Sequence, residues 1–313
     1  MLSKFFYDIF TFWFKIAHYN FRWQFANSWF LPKRMSKIIK NKRLSFNINF
    51  LQKKFNNFIN SYKDKRLEIW RNDKKVRVLW RQWIEKAPNI VKICIESIKR
   101  HSCWYDVVLL NKDNYKNYLE LPDFILKKVR DKKITITHLS DIIRMWLLKQ
   151  YWWIRVDATM FITWNVFKEF DNINLNTNYP NNMGENNWWY ERWTWFFIWW
   201  KSNRLFNFVY DFLIKYHENY AYIINYFLID YVIYISYLNF SDCKNDLDNI
   251  TLKNWEIFSL VECFNDKYDK TYYNNLMKQW FFKLTYKRSF KQVDKNWNLT
   301  NYWMFLKWWI SNI

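Results

Sequence analysis

An α/β fold with a parallel sheet is predicted by three stretches of the sequence. Residues 74–83, KKVRVLWRQW, alternate apolar and polar side chains at the period of a half-buried strand. Residues 87–101, APNIVKICIESIKRH, place Ile90, Val91, Cys94, Ile95 and Ile98 on one helical face, with Pro88 near the first turn. Residues 105–111, YDVVLLN, form a short apolar run of buried-strand length. Strand, helix and strand in that order are the unit of a parallel sheet.

The other elements follow along the chain. Residues 1–70 are basic and aromatic and read as an N-terminal helical extension to a domain spanning 71–313. Within it, 5–19 (FFYDIFTFWFKIAHY) reads as an amphipathic helix that packs on the body or lies on a membrane surface. A break between helical pieces is expected over 31–43, where Pro32 suits a helix start. Helices are expected over 121–133 and 137–151, then a strand over 154–161, IRVDATMF. A polar, Asn-rich loop covers 171–187, and the chain after the aromatic run 193–200 reads as mainly helical to about 241, with a looser tail. The stretch 220–240 is long enough to span a bilayer. Asp230 and its many tyrosines make it a buried core helix instead.

A chain of 313 residues can bury a substantial core, and 51% hydrophobic with 24% aromatic residues exclude a disordered one. The net charge of +21 points to anionic company: nucleic acid, a membrane surface or phosphorylated substrates. Lysine is spread along the chain, however, as on a solvated surface. Cys94, Cys103, Cys243 and Cys263 lack metal or redox spacing and read as reduced thiols of a cytosolic protein. No secretory leader is evident at the N-terminus. The anomaly is glycine. Average usage of about 7% would supply roughly 22 glycines, yet Gly184 stands alone beside 23 tryptophans. An AT-rich gene inflates Phe, Tyr, Ile, Asn and Lys but does not explain tryptophan.

Candidate chemistry gathers in the middle of the chain. Asp141 and Arg144, three apart after Ser140, share one helix face. Asp157 and Thr159 close the strand that follows. Brought together, they form a polar cluster at the carboxyl end of a parallel strand, where open α/β sheets bind ligands. Spacing alone also permits a surface ion pair and an unrelated strand-end acid.

The segment 138–161, HLSDIIRMWLLKQYWWIRVDATMF, resembles the capsular polysaccharide synthesis family of sugar transferases. That family shows a His-Phe-Ser-Asp-Ile-Leu-Arg run, a Leu-Leu-Tyr-Lys-Tyr-Gly-Gly turn and a Trp-hydrophobic-Asp-Ala-Thr strand. The likeness extends through 76–115, 193–203, 224–237 and 281–290 (FFKLTYKRSF). It implies a GT-A-like, Rossmann-type mixed sheet flanked by helices, with a helical C-terminal part and a donor-binding core at about 74–170. It implies a glycosyltransferase moving a sugar from a nucleotide-sugar, with a UDP-sugar expected, to a glycan acceptor. The cofactor implied is Mn²⁺ or Mg²⁺. Asp157 would contact ribose, sugar or metal from the first position of the DXD motif. Thr159 stands at the second, metal-binding position, where a neutral hydroxyl is a weaker ligand for a hard cation. Asp141 would bind donor hydroxyls and Arg144 would pair with sugar or diphosphate, completing the catalytic set. Trp80 would stack on the nucleobase or serve as a core strand residue, and Lys287 would reach the diphosphate or stand as a solvated surface lysine. His138 caps or packs. The location implied is cytoplasmic, with peripheral contact at the inner face of the cell membrane, and no nucleic acid is expected as partner. The competing readings are an inactive scaffold of a glycan assembly complex and a basic-aromatic binder of single-stranded nucleic acid.

Departures from the family follow a rule. Tryptophan stands at family glycines: Trp83, Trp152, Trp153, Trp195 and one of Trp199 and Trp200. Arginine stands at family tryptophans: Arg77, Arg81 and Arg155. The expectation is a gene with a reassigned code, in which UGA means glycine and CGA or CGG means tryptophan. Indoles at a Gly-Gly turn before the Asp157 strand would crowd the donor pocket.

Overall fold

A computed structural model describes residues 33–65, 72–150, 152–170, 175–177, 197–200, 204–250 and 256–310. The α/β expectation holds. Strands β1 (Asn72–Leu79), β2 (Asp106–Leu110) and β3 (Trp152–Asp157) lie parallel in the order β2-β1-β3. β5 (Leu175–Thr177) and β6 (Phe197–Trp200) extend the sheet beyond β3 in antiparallel fashion, so it is mixed. The register sets Val76 opposite Val107 and Ile154, and Val78 opposite Leu109 and Val156. Val76, Val78, Ile154 and Val156 are buried on one face of the sheet and Arg77 and Arg155 on the other, so its centre is covered on both faces.

Eleven α-helices are described. α1 (Lys33–Lys54) and α2 (Asn56–Ser61) precede the sheet, α3 (Asn89–Arg100) links β1 to β2, and α4 (Asp123–Arg130) and α5 (Ile136–Gln150) lead into β3. α6 (Arg204–Asn219), α7 (Leu228–Asn239) and α8 (Ser241–Asp248) pack with them. One core joins Leu44, Ile48 and Leu51 of α1 to Ile142 of α5, Phe212 of α6 and Val232 of α7. The proposed division at residue 70 falls among residues outside the description, and α1 shares its core with helices of the main body.

α9 (Ser259–Glu262), α10 (Lys270–Leu276) and α11 (Asn301–Ile310) surround a small antiparallel sheet of β4 (Met160–Ile162) and β7 (Phe281–Lys283). Phe161, Phe264, Phe282 and Phe305 form its core. Ser97 ties α3 to this sheet: its hydroxyl donates to the Cys94 carbonyl and accepts the Ile162 N–H.

Several sequence readings need correction. The stretch 33–54 is one continuous helix instead of a break, because Leu44, Ile48 and Leu51 give it a buried stripe. The predicted strand 154–161 is two strands in two sheets, parted at Ala158–Thr159. Trp152 and Trp153 open β3 instead of forming a turn, and the pairing with β1 shifts register there. Residues 175–177 form a strand inside the expected loop. The core helix begins only at Leu228, since 220–227 is irregular chain with bends and one turn, and Asp230 is buried as expected. The described residues of the C-terminal tail include helices and a strand instead of a loose run. The amphipathic stretch 5–19, Trp195 and most of 171–187 lie outside the described residues. Among the described residues no helix is long and apolar enough to cross a membrane.

Candidate functional site

The site forms where β1 and β3 end. Past Leu79 the chain enters Trp80, and past Asp157 it turns through Ala158 and Thr159 into β4. Asp157 Oδ1 accepts the Thr159 N–H at 3.1 Å and the Thr159 hydroxyl at 3.0 Å. This side-chain turn stands in for a backbone one and redirects the strand from one sheet to the other.

α5 delivers the second group. Thr135 caps its start, its hydroxyl accepting the His138 N–H at 3.2 Å. Asp141 and Arg144, three apart on the helix, pair at 3.0 Å. Arg144 also reaches to 3.7 Å from Asp157 Oδ2. The far-apart segments predicted to meet, 141–144 and 157–159, do meet.

The small sheet delivers a third group, which the sequence reading passed over. Met160 pairs with Lys283 across β4 and β7, and the Leu284 N–H donates to the Thr159 carbonyl at 2.9 Å. That register seats the Lys283 ammonium 2.9 Å from Asp157 Oδ1 and makes it a donor to the Thr159 hydroxyl. Its side chain is 14% exposed. The signal for it was present in FFKLTYKRSF, but two lysines four apart occur there. Only the pairing with β4 separates Lys283, which meets Asp157, from Lys287, which lines the cavity and is exposed.

Burial works against a charged Asp157, but Lys283, Arg144 and Arg155 overcome it and hold its carboxyl well below the usual carboxylate range. Arg155 lies 3.8 Å from Asp157 Oδ2. Burial lowers the Lys283 ammonium from the ordinary lysine value, and Asp157 opposes that. Burial also lowers Arg155, to about 9, reinforced by Arg144.

These groups border a cavity of about 800 Å³, within the range of small-molecule and cofactor sites. Arg81, Arg144, Lys283, Lys287 and Arg288 face it with Asp157 and Glu262, so cations outnumber acids. Trp80 lines it too, half-buried and edge-on to Tyr286 at 5.4 Å between ring centroids. Tyr226 borders it and is exposed. Asp141 is not among the lining residues and acts through Arg144. His138 is buried away from the cavity, its Nε2 2.9 Å from Nε2 of His217.

Asp157 and Thr159 do not by themselves fit Mn²⁺ or Mg²⁺. Such ions take several oxygen ligands, carboxylates foremost. Among the described residues no group of three or more His, Cys, Asp or Glu shares a site. Asp157 Oδ1 already meets the Lys283 ammonium and both Thr159 donors.

All four cysteines are free thiols, three of them buried and Cys103 partly so. Burial raises the thiols of Cys94, Cys243 and Cys263, so none of these three is activated as a nucleophile. No curated protein matches this sequence. Residues 27–302 match the family described as capsular polysaccharide synthesis protein, and the chain belongs to that family.

Proposed function

We propose that the protein is a glycosyltransferase, with a GT-A-like donor domain, that moves a sugar from a nucleotide-sugar to a glycan acceptor in capsular polysaccharide synthesis. The observation that carries this reading is the cavity at the carboxyl ends of β1 and β3. It offers an indole, Trp80, and a cluster of cations around Asp157. The indole suits a nucleobase face, and the cations suit a diphosphate.

In the transfer, the bond from the anomeric carbon to the diphosphate oxygen breaks and its electron pair leaves with the nucleoside diphosphate. An acceptor hydroxyl oxygen takes its place on that carbon, and its proton is released to solvent. Negative charge grows on the departing diphosphate, so Lys283 and Arg144 would stabilise the transition state more than the ground state. Asp157 holds both cations in place, and Asp141 fixes the Arg144 rotamer. The test is release of nucleoside diphosphate from a panel of UDP- and GDP-sugars, with and without oligosaccharide acceptors. Turnover of one donor that is abolished by Asp157→Asn supports the reading. No turnover of any donor, with binding only to oligonucleotides, overturns it.

We also infer that the standard code mistranslates this gene, with glycine codons appearing as tryptophan and tryptophan codons as arginine. Two structural features support this. Trp297 sits at φ 60° in the turn between the bridged residues Val293 and Leu299, and is 85% exposed. Left-handed backbone in a short hairpin loop favours glycine, and a bulky residue there is strained. Arg77 and Arg155 face each other across β1 and β3 while 2% and 6% exposed. Two like charges buried side by side repel each other even though Arg155 is paired with Asp157, whereas two indoles carry no charge. At Trp83 the φ of −63° is open to any residue, so the weight falls on Trp297 and the arginine pair.

A further inference from the structure

We propose that Lys283 takes the place of a divalent cation in this site: its ammonium, beside Arg144, receives the donor diphosphate, and the donor binds without metal. This rests on the nucleotide-sugar reading above and assigns the charge that the diphosphate meets.

The geometry is specific. A cation shared by the first and third residues of the Asp-Ala-Thr triplet would have to touch Asp157 and Thr159 together. Lys283 Nζ already does so, 2.9 Å from Asp157 Oδ1 and donating to the Thr159 hydroxyl. A metal on those oxygens would sit about 2–2.6 Å from each, in space the ammonium occupies and against its charge. Asp157 Oδ2 faces Arg144 at 3.7 Å, and Asp141, the neighbouring acid, is engaged by the same guanidinium. The carboxylates therefore serve to hold organic cations.

The seat of Lys283 is rigid for the same reason that it escapes sequence reading. Residue 283 is the register partner of Met160, which is fully buried, and Phe281 and Phe282 before it are buried in the core. The backbone N–H of Leu284 donates to the carbonyl of Thr159 itself. The ammonium is thus locked to the triplet by the sheet while it faces the cavity. A pre-placed charge in a partly dry site needs no reorganisation when the diphosphate arrives.

The test is calorimetric titration of the purified full chain with UDP and with GDP, once in EDTA and once in Mn²⁺. The expected result is binding of one nucleotide with a Kd that agrees within about twofold between the two conditions. Lys283→Met, which keeps the stem and removes the charge, should weaken that binding on the order of tenfold in EDTA. Lys283→Arg should recover part of it. Thermal melts confirm that each variant is folded, and the comparison of EDTA with Mn²⁺ on the unaltered chain needs no variant at all. Binding that requires Mn²⁺, or that Lys283→Met leaves intact, overturns the role of Lys283 while the nucleotide-sugar reading stands. Absence of binding to either nucleotide in both conditions overturns that reading and this proposal with it.

Discussion

Lys283 and Asp157 meet at 2.9 Å although they stand 126 positions apart in the sequence. The contact exists because β4 continues directly from the turn that ends β3, and β7 pairs with β4 in a register that brings residue 283 back to that turn. One carboxylate thereby holds a lysine from the small sheet, while its other oxygen faces an arginine from α5.

Asp157→Asn would leave Lys283, Arg144 and Arg155 clustered without the carboxylate between them. Sugar transfer is expected to fall at least on the order of a hundredfold. Stability should fall by about 3 kcal/mol, because the cations left behind are largely shielded from water. A donor-turnover assay and thermal unfolding read the two effects separately. Unfolding like that of the unaltered chain would show that the cluster does not depend on Asp157.

Trp80 makes a narrower prediction. Trp80→Leu removes the indole face from the cavity without touching the Asp157 cluster. Nucleotide Kd should rise about five- to tenfold, of the order of one aromatic contact, with no change in the effect of Lys283→Met. Equal affinity for nucleotide before and after the substitution would place the base elsewhere.

The buried pair His138 and His217 predicts an acid limit of stability. Burial pushes the His138 imidazole down to about 4, and lowers His217 as well, with His138 itself a further cause. Both rings are neutral in the folded protein near neutral pH, whereas the unfolded chain protonates near the ordinary value of about 6.5. The unfolded state therefore binds more protons below that pH. The stability is fully present above about 6.5 and is lost as pH falls toward 4, by about 3 kcal/mol for His138 alone. Denaturant titrations at pH 7.5 and 5 should differ accordingly, and His138→Phe should flatten the difference.

The code reading predicts particular masses. Tandem mass spectrometry of the natively produced protein over 145–165 should read Tyr-Gly-Gly-Ile-Trp-Val-Asp, and glycine should stand at 297. In the protein made with the standard code, Trp297→Gly should add about 1–2 kcal/mol, the cost of left-handed backbone in a residue with a side chain. Arg77→Trp combined with Arg155→Trp should stabilise it further. A native peptide reading Tyr-Trp-Trp-Ile-Arg-Val-Asp would reject the reassignment.

Local pattern carried much of the fold. Alternation in 74–83 and the apolar face of 87–101 depend only on which side chains can be buried together at each period, so β1, α3 and β2 were legible within a few residues. The same holds for α5, whose face is a local property, whereas the meeting of Asp141 and Arg144 with Asp157 and Thr159 was expected from the family resemblance, since spacing alone also permits an unrelated strand-end acid. Where an apolar run crossed two sheets, as at 154–161, period alone could not show the break. Nothing in IRVDATMF separates a strand that continues from one that turns on an aspartate side chain.

What the sequence by itself determined is the α/β class, the family likeness, and the residues of the Asp-Ala-Thr end and its α5 partner. What only the tertiary structure decided is which lysine stands with them. Lys283 and Lys287 are alike in local pattern and differ only in their place in a sheet paired across more than a hundred residues. Register between distant strands depends on the whole packed core, and no short window of sequence contains it.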